Sequence, residues 1–222
     1  MISNLLGPLF PHFPNFNTLR GDRYRFVEPY LASVRRLRDL QPEMLVVGRH
    51  TPIRGAELID ASLRRLHDAV DHVHRETLAG INAGRDIDEL AQEITLPPEL
   101  RVGQGYGKVS WGVRTIWESY IGWFRLRSTT ELYPVPARTA TADLAAALGA
   151  DAVLDRARDR LAAGEPVVAI HLLEGLLDVG AEEATVAPLM VAAHEQLLTT
   201  GGEVSFWEQG WLADQVRRWR KV

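Results

Sequence analysis

Cysteine is absent from the sequence, which excludes disulfide staples, iron–sulfur clusters, thiolate zinc sites and cysteine nucleophiles together. Any metal must be held by histidine, aspartate or glutamate. An excess of positive charge is missing too: 25 Lys and Arg stand against 29 Asp and Glu, a net charge of −4. That balance draws the chain neither to nucleic acid nor to anionic lipid, so no nucleic-acid partner is expected. No apolar run approaches the roughly 20 residues that span a bilayer, and no membrane span is expected. The opening stretch MISNLLGPLFPHFPNF lacks a basic segment and is interrupted by Pro8, Pro11 and Pro14, unlike a secretory signal. A soluble, cytoplasmic protein is the expectation. What is present, 222 residues with 46% apolar and 24% charged, suffices for one large or two small domains with a packed core.

Periodicity predicts a mainly helical chain. Val27, Leu31, Val34 and Leu37 recur at helical spacing within a helix expected from Asp22 to Leu40, and Pro42 ends it. Met44 to Val47 is a short apolar run that reads as a buried strand. A strand needs a partner for its backbone groups, and none is evident in the residues that follow. From Ala56 onward everything reads as helix: 56–83, 86–94, 113–124, 141–148, 152–163, 166–179, 182–198 and 207–220. Gly84, Gly149, Gly164 and Gly180 stand where helices should stop, and Pro166 where one should start. An α/β beginning therefore gives way to an all-α body, with the boundary near Arg54 to Leu58. Between Asp143 and Leu198, Ala157, Ala169 and Ala193 sit at packing positions, as in tetratricopeptide-like helical hairpins.

Several residues invite a chemical reading beside a plain one. His50 ends the strand, where a side chain projects into the loop layer; it reads as a metal ligand or as a surface loop histidine. Asn15 and Arg20 share the loop PNFNTLRG. They make an anion grip for sulfate, phosphate or carboxylate, or else Asn15 caps a turn while Arg20 pairs with Asp22. His67, His72 and His74 look like a cluster, but 72 and 74 lie roughly 200° apart on a helix. They are expected as exposed or interfacial helix histidines rather than three convergent ligands. Trp111, Trp117, Tyr120, Trp123 and Phe124 form a dense aromatic run. Trp117, Tyr120 and Phe124 are expected on one helical face, as core or as a wall for an apolar ligand or dimer partner. The stretch from Gly103 to Lys108 imitates a phosphate loop, yet it follows Leu-Pro-Pro rather than a buried strand, so nucleotide binding is rejected. Trp207 and Trp211 with Arg217, Arg218 and Arg220 give an amphipathic helix, read as packing rather than membrane association.

In their order and spacing these segments resemble the metallo-β-lactamase-fold alkylsulfatases, zinc hydrolases of alkyl sulfate esters. The likeness rests on PNFNTLRG, LVVGRHTPIRG, LRRLHDAVDHVHRETLAGINAG followed by ITLPPEL, and YGKVSWGVRTIWESYIGWF followed by STTELYPVP. It implies that residues 1–54 are the last part of the hydrolase core, a short α/β remnant. Residues 55–222 would be the helical, tetratricopeptide-like alkylsulfatase dimerisation domain. It further implies that Asn15 and Arg20 hold the sulfate group and that His50 is the last metal-binding histidine. Trp117, Tyr120, Trp123 and Phe124 would form a dimer contact and part of the wall around the alkyl chain.

The departures shape the expectation equally. The family's His-x-His-x-Asp-His metal motif occurs nowhere in the sequence, and no carboxylate precedes Asp22. A sterol-carrier-like C-terminal domain is not found either. Catalytic zinc needs about three protein ligands, and His50 is one. Zinc, the cofactor of the intact family, is therefore not expected to be held stably by this chain, no catalytic residue is assigned, and no sulfatase activity is expected of it alone. A truncated gene product would account for that pattern. The expected partners are a second copy of the chain and an alkyl sulfate or other amphiphile. The competing reading is a non-catalytic helical module for homodimerisation or apolar-ligand binding.

Overall fold

The computed structural model describes residues 10–16, 25–47, 51–200 and 205–222, and among them helix dominates as the periodicity predicts. Arg20 and His50 lie outside the described residues. The chain divides into two compact units, Met1–Ser128 and Thr129–Val222.

In the first unit, helix α1 (Val27–Asp39) buries Val27, Tyr30, Leu31, Val34 and Leu37 on one face. Strand β1 (Met44–Leu45) pairs antiparallel with β2 (Ile53–Arg54), Met44 opposite Arg54 and Leu45 opposite Ile53. The strand's missing partner thus lies just downstream, in two residues too few to display an alternating pattern. Helix α2 (Ala56–Asn82) is the long central element. Ile59, Leu63, Leu66, Val70, Val73, Thr77 and Gly80 are buried along it, alternating steps of four and three that draw one stripe down the helix. Each fully buried Leu or Ile on such a stripe is worth about 1.5–3 kcal/mol relative to exposure. Helix α3 (Ile87–Glu93) is capped by Asp86, whose Oδ1 accepts from Asp88 N at 2.7 Å and Glu89 N at 3.3 Å. Helix α4 (Val109–Ile121) packs against α2 and α3.

Helix α4 starts four residues earlier than the sequence suggests. Gly112 looks like a helix breaker, but a Cβ there would lie 2.8 Å from the Phe13 ring. It is a close-packing position inside the helix, not a stop. The helix also ends earlier than expected, at Gly122, which has φ +83°. Phe124 therefore lies beyond α4 and does not share a helical face with Trp117 and Tyr120.

The second unit comprises α5 (Arg138–Leu148), α6 (Ala150–Ala162), α7 (Pro166–Asp178), α8 (Glu183–Thr200) and α9 (Phe206–Trp219). Each packs on its neighbours in sequence. Ala157, Ala169 and Ala193 are fully buried, as expected of packing alanines. Helices α6 and α7 end alike. Gly164 N donates to Leu161 O and Glu165 N to Arg160 O; Gly180 N donates to Leu177 O and Ala181 N to Leu176 O. This is the Schellman closure, which requires the left-handed backbone found at Gly164 and Gly180 (φ +76° and +87°). Helix α9 opens with a reciprocal capping box between Ser205 and Glu208.

Candidate anion-binding segment

The described part of the expected anion grip is the segment His12 to Phe16. Phe13 and Phe16 are buried, their rings meeting edge to face at 6.1 Å, and Phe16 meets Tyr30 of α1 in the same way at 5.3 Å. The glycine-rich stretch before α4 grips this segment. Phe13 N donates to Gly103 O at 2.7 Å, Gly105 N to His12 Nδ1 at 3.1 Å, and Gly107 N to Phe13 O at 3.2 Å. A Cβ on Gly107 would lie 2.2 Å from Pro14 O, so only glycine permits the approach. Gln104 Oε1 accepts from Val109 N at 2.8 Å and closes the start of α4. The run that imitates a phosphate loop is a cradle for another part of its own chain.

Asn15 sits at the centre of this arrangement, 2% exposed. Its backbone oxygen accepts from Arg25 Nη1 at 2.9 Å, but its side-chain Oδ1 is buried with no hydrogen-bond partner. The turn-capping alternative for Asn15 gains no hydrogen bond from that oxygen. A buried unpaired amide atom costs about 1–3 kcal/mol. Turned about its Cγ, the amide would offer two N–H donors at that place instead of an acceptor.

The histidines of α2 do not converge. His67 Nδ1 is 3.0 Å from Asp68 Oδ1, His72 Nε2 lies 3.1 Å from Thr95 O, and His74 Nε2 lies 2.9 Å from Tyr120 Oη. His74 is buried rather than surface-exposed, because its position falls beside Val70, Val73 and Thr77 on the core stripe. Its ring stacks on Tyr120 with centroids 5.7 Å apart. Burial lowers the His74 pKa against the opposing pull of Glu28 and Asp71. Burial and the hydrogen-bonded Glu28 carboxylate raise that of Tyr120. Glu28 thus ties α1 to the pair, a connection the sequence shows only as a lone acid in the first turn of α1. Among the described residues no three His, Asp or Glu side chains form a group suited to a metal ion.

Of the aromatic run, Trp117 belongs to the core. Tyr120 is 45% exposed and Trp123, just past α4, is 71% exposed; Trp123 touches Phe124 with centroids 5.8 Å apart. Asp88, at the start of α3, meets Arg114 Nη2 at 2.7 Å, Arg127 Nη1 at 2.9 Å and Arg125 Nη1 at 3.7 Å. Burial pushes the Asp88 carboxyl up, but the three guanidinium groups outweigh it and hold the pKa below the usual range.

Comparison with known proteins places this architecture. A family model described as alkyl sulfatase dimerisation matches residues 86–215, more than half of the chain, and the chain belongs to that family. It is 34% identical over 161 residues to a linear primary-alkylsulfatase of Pseudomonas sp., covering 70% of this chain and 30% of that protein. It is 26% identical over 222 residues to the alkyl/aryl-sulfatase BDS1 of Saccharomyces cerevisiae, covering 95% of this chain and 34% of that one. The solved stereoselective inverting sec-alkylsulfatase Pisa1 from Pseudomonas sp. superposes with a TM-score of 0.82 at 24% identity, over 97% of this chain and 35% of its own. That last likeness establishes the fold. The chain spans about a third of the length of the relatives it matches. No helix among the described residues is long and apolar enough to cross a membrane.

Proposed function

We propose that this chain contributes two parts of an alkylsulfatase-type metallohydrolase: the last segment of the hydrolase core (residues 1–54) and a helical dimerisation body (residues 55–222). In this reading Asn15 and Arg20 grip the sulfate group of an alkyl sulfate ester. Asn15 supplies the amide of a rigid, buried segment, and Arg20 supplies a planar fork of donors suited to an oxyanion. The observation that supports the assignment is the buried Asn15 carboxamide with its oxygen unpaired, on a segment whose neighbour Phe13 is bonded to Gly103 and Gly107. It would serve an oxyanion through its N–H donors, with the amide turned about Cγ. Tyr120, Trp123 and Phe124 would lie along the dimer contact or the alkyl chain, and the working unit would be a homodimer.

His50 is the residue of this chain that would meet zinc, which in such hydrolases supplies the activation of water. The described residues do not form a zinc site by themselves, and three ligands are the usual minimum. The chain alone is therefore expected to retain no zinc and to hydrolyse no alkyl sulfate. Two measurements test this reading. Inorganic sulfate titrated into the protein by calorimetry should bind at least about tenfold more weakly to Asn15→Ala and Arg20→Ala variants, the scale of one lost charge-assisted hydrogen bond. Equal binding by wild type and both variants would remove the grip. Hydrolysis of a primary alkyl sulfate with added zinc should stay at the level of His50→Ala, and turnover well above that variant would refute the expected inactivity.

A further inference from the structure

The second unit contains a cavity of about 500 Å³ between α7, α8 and α9, with the start of α5 at its mouth. It falls within the roughly 300–1,000 Å³ typical of small-molecule pockets. Ile170, Leu177, Met190 and Trp219 form the apolar part of its wall, and Arg138, Glu174 and Arg218 a charged part. Two uncharged polar residues join them and are more than nine-tenths buried: His194 is 7% exposed and Gln215 is 9% exposed. They arrive there by helical spacing. Met190, His194 and Leu197 follow one face of α8, as Trp211, Gln215 and Arg218 follow one face of α9.

Their hydrogen bonding is unfinished. His194 Nδ1 lies 2.7 Å from Met190 O; a carbonyl only accepts, so Nδ1 carries the hydrogen and Nε2 is left over. In the neutral ring Nε2 is an acceptor. No hydrogen bond engages the Gln215 carboxamide among the described residues, and it offers both a donor and an acceptor. Side chains of buried residues are ordinarily paired, so two that line one cavity with hydrogen-bonding capacity to spare mark a place suited to a ligand's polar end.

The charges at the mouth decide which kind of end. Arg138 is doubly engaged by Asp178, Arg218 lies 3.6 Å from Glu183, and Glu174 adds a further carboxylate to the lining. The cations are already matched, and an anionic head would meet Glu174. A neutral hydroxyl avoids this: it can donate to an acceptor such as His194 Nε2 or accept from the Gln215 N–H, with its hydrocarbon against Ile170, Leu177 and Met190. The geometry points to a binding site for a neutral aliphatic alcohol in the second unit, separate from the Asn15 segment and independent of any hydrolysis.

The test titrates 1-octanol into the full 222-residue chain, read by calorimetry and by the fluorescence of Trp211 and Trp219. Saturable binding is expected, with octanoate and octyl sulfate at least tenfold weaker. His194→Leu and Gln215→Leu keep the volume but remove the polar partner, and each should weaken octanol about three- to tenfold, the scale of one neutral hydrogen bond. Leu197→Trp fills the cavity from a partly buried position and should abolish binding while circular dichroism shows the fold intact; it carries the test if either leucine variant fails to fold. Absence of saturable octanol binding overturns the proposal. So does binding unchanged in Leu197→Trp, or anions bound as tightly as the alcohol.

Discussion

The two units reach a helical core by different routes. In the first, residues far apart in sequence determine the outcome: His12 touches Gly105, Phe13 bonds Gly103, and Glu28 reaches Tyr120. In the second, each helix packs on its neighbours in sequence and is closed by glycine turns or a capping box spelled out locally. Glycine shows the contrast best. Gly107 is required because another stretch of backbone occupies the space of its side chain, whereas Gly164 and Gly180 serve only to end the helix that precedes them.

The sharpest way to break this comparison is a pair of glycine substitutions. Gly107→Ala should destabilise the protein by about 3 kcal/mol, the upper range for forced overpacking, because its Cβ would meet Pro14 backbone at 2.2 Å. Gly210→Ala, inside α9 with nothing within 4 Å of the added carbon, should stabilise by up to about 1 kcal/mol through helix propensity. Chemical denaturation of both variants checks the pair; equal effects of one sign would erase the distinction.

A smaller effect sharpens it electrostatically. Asp88 is shared among three arginines, while pairs such as Arg158 with Asp155 in α6 are exposed neighbours on one helix. The Asp88 carboxyl titrates below its unfolded value. Its stabilising contribution is therefore fully present above the unfolded pKa of about 4 and is lost as pH falls through the lower folded value. Partial exposure keeps that contribution under about 1 kcal/mol. Asp88→Asn should flatten the acid limb of a stability–pH curve measured by chemical denaturation, and an unchanged limb would remove the shared-carboxylate reading.

The same contrast explains what the sequence made legible. Helices closed by Gly84, Gly164 and Gly180 or begun at Pro166 were readable to within a residue or two, because their stop and start signals are local. Strand β2 was not, being two residues long, and the start of α4 was obscured by Gly112, whose role depends on Phe13 about a hundred residues earlier. At the site, Asn15 was visible as a residue type within PNFNTLRG, and the family resemblance gave it a role. Its lodging in the stretch from Gly103 to Gly107 was illegible, since the glycines there carry no mark of what they receive. His194 and Gln215 are illegible for a similar reason: their spacing is that of any packed helix, and only the assembled second unit brings them to one cavity.

The link from His12 to Gly105 spans 93 positions, and that separation has a kinetic meaning. Closing so long a loop gives up chain entropy before any contact repays it, so local helices form sooner than distant strands of chain meet. Helices α2, α3 and α4 should assemble first and present an open trough lined by glycine, into which the segment bearing Asn15 settles late. The residue assigned to grip the anion would then be among the last parts of its unit to find its place on refolding.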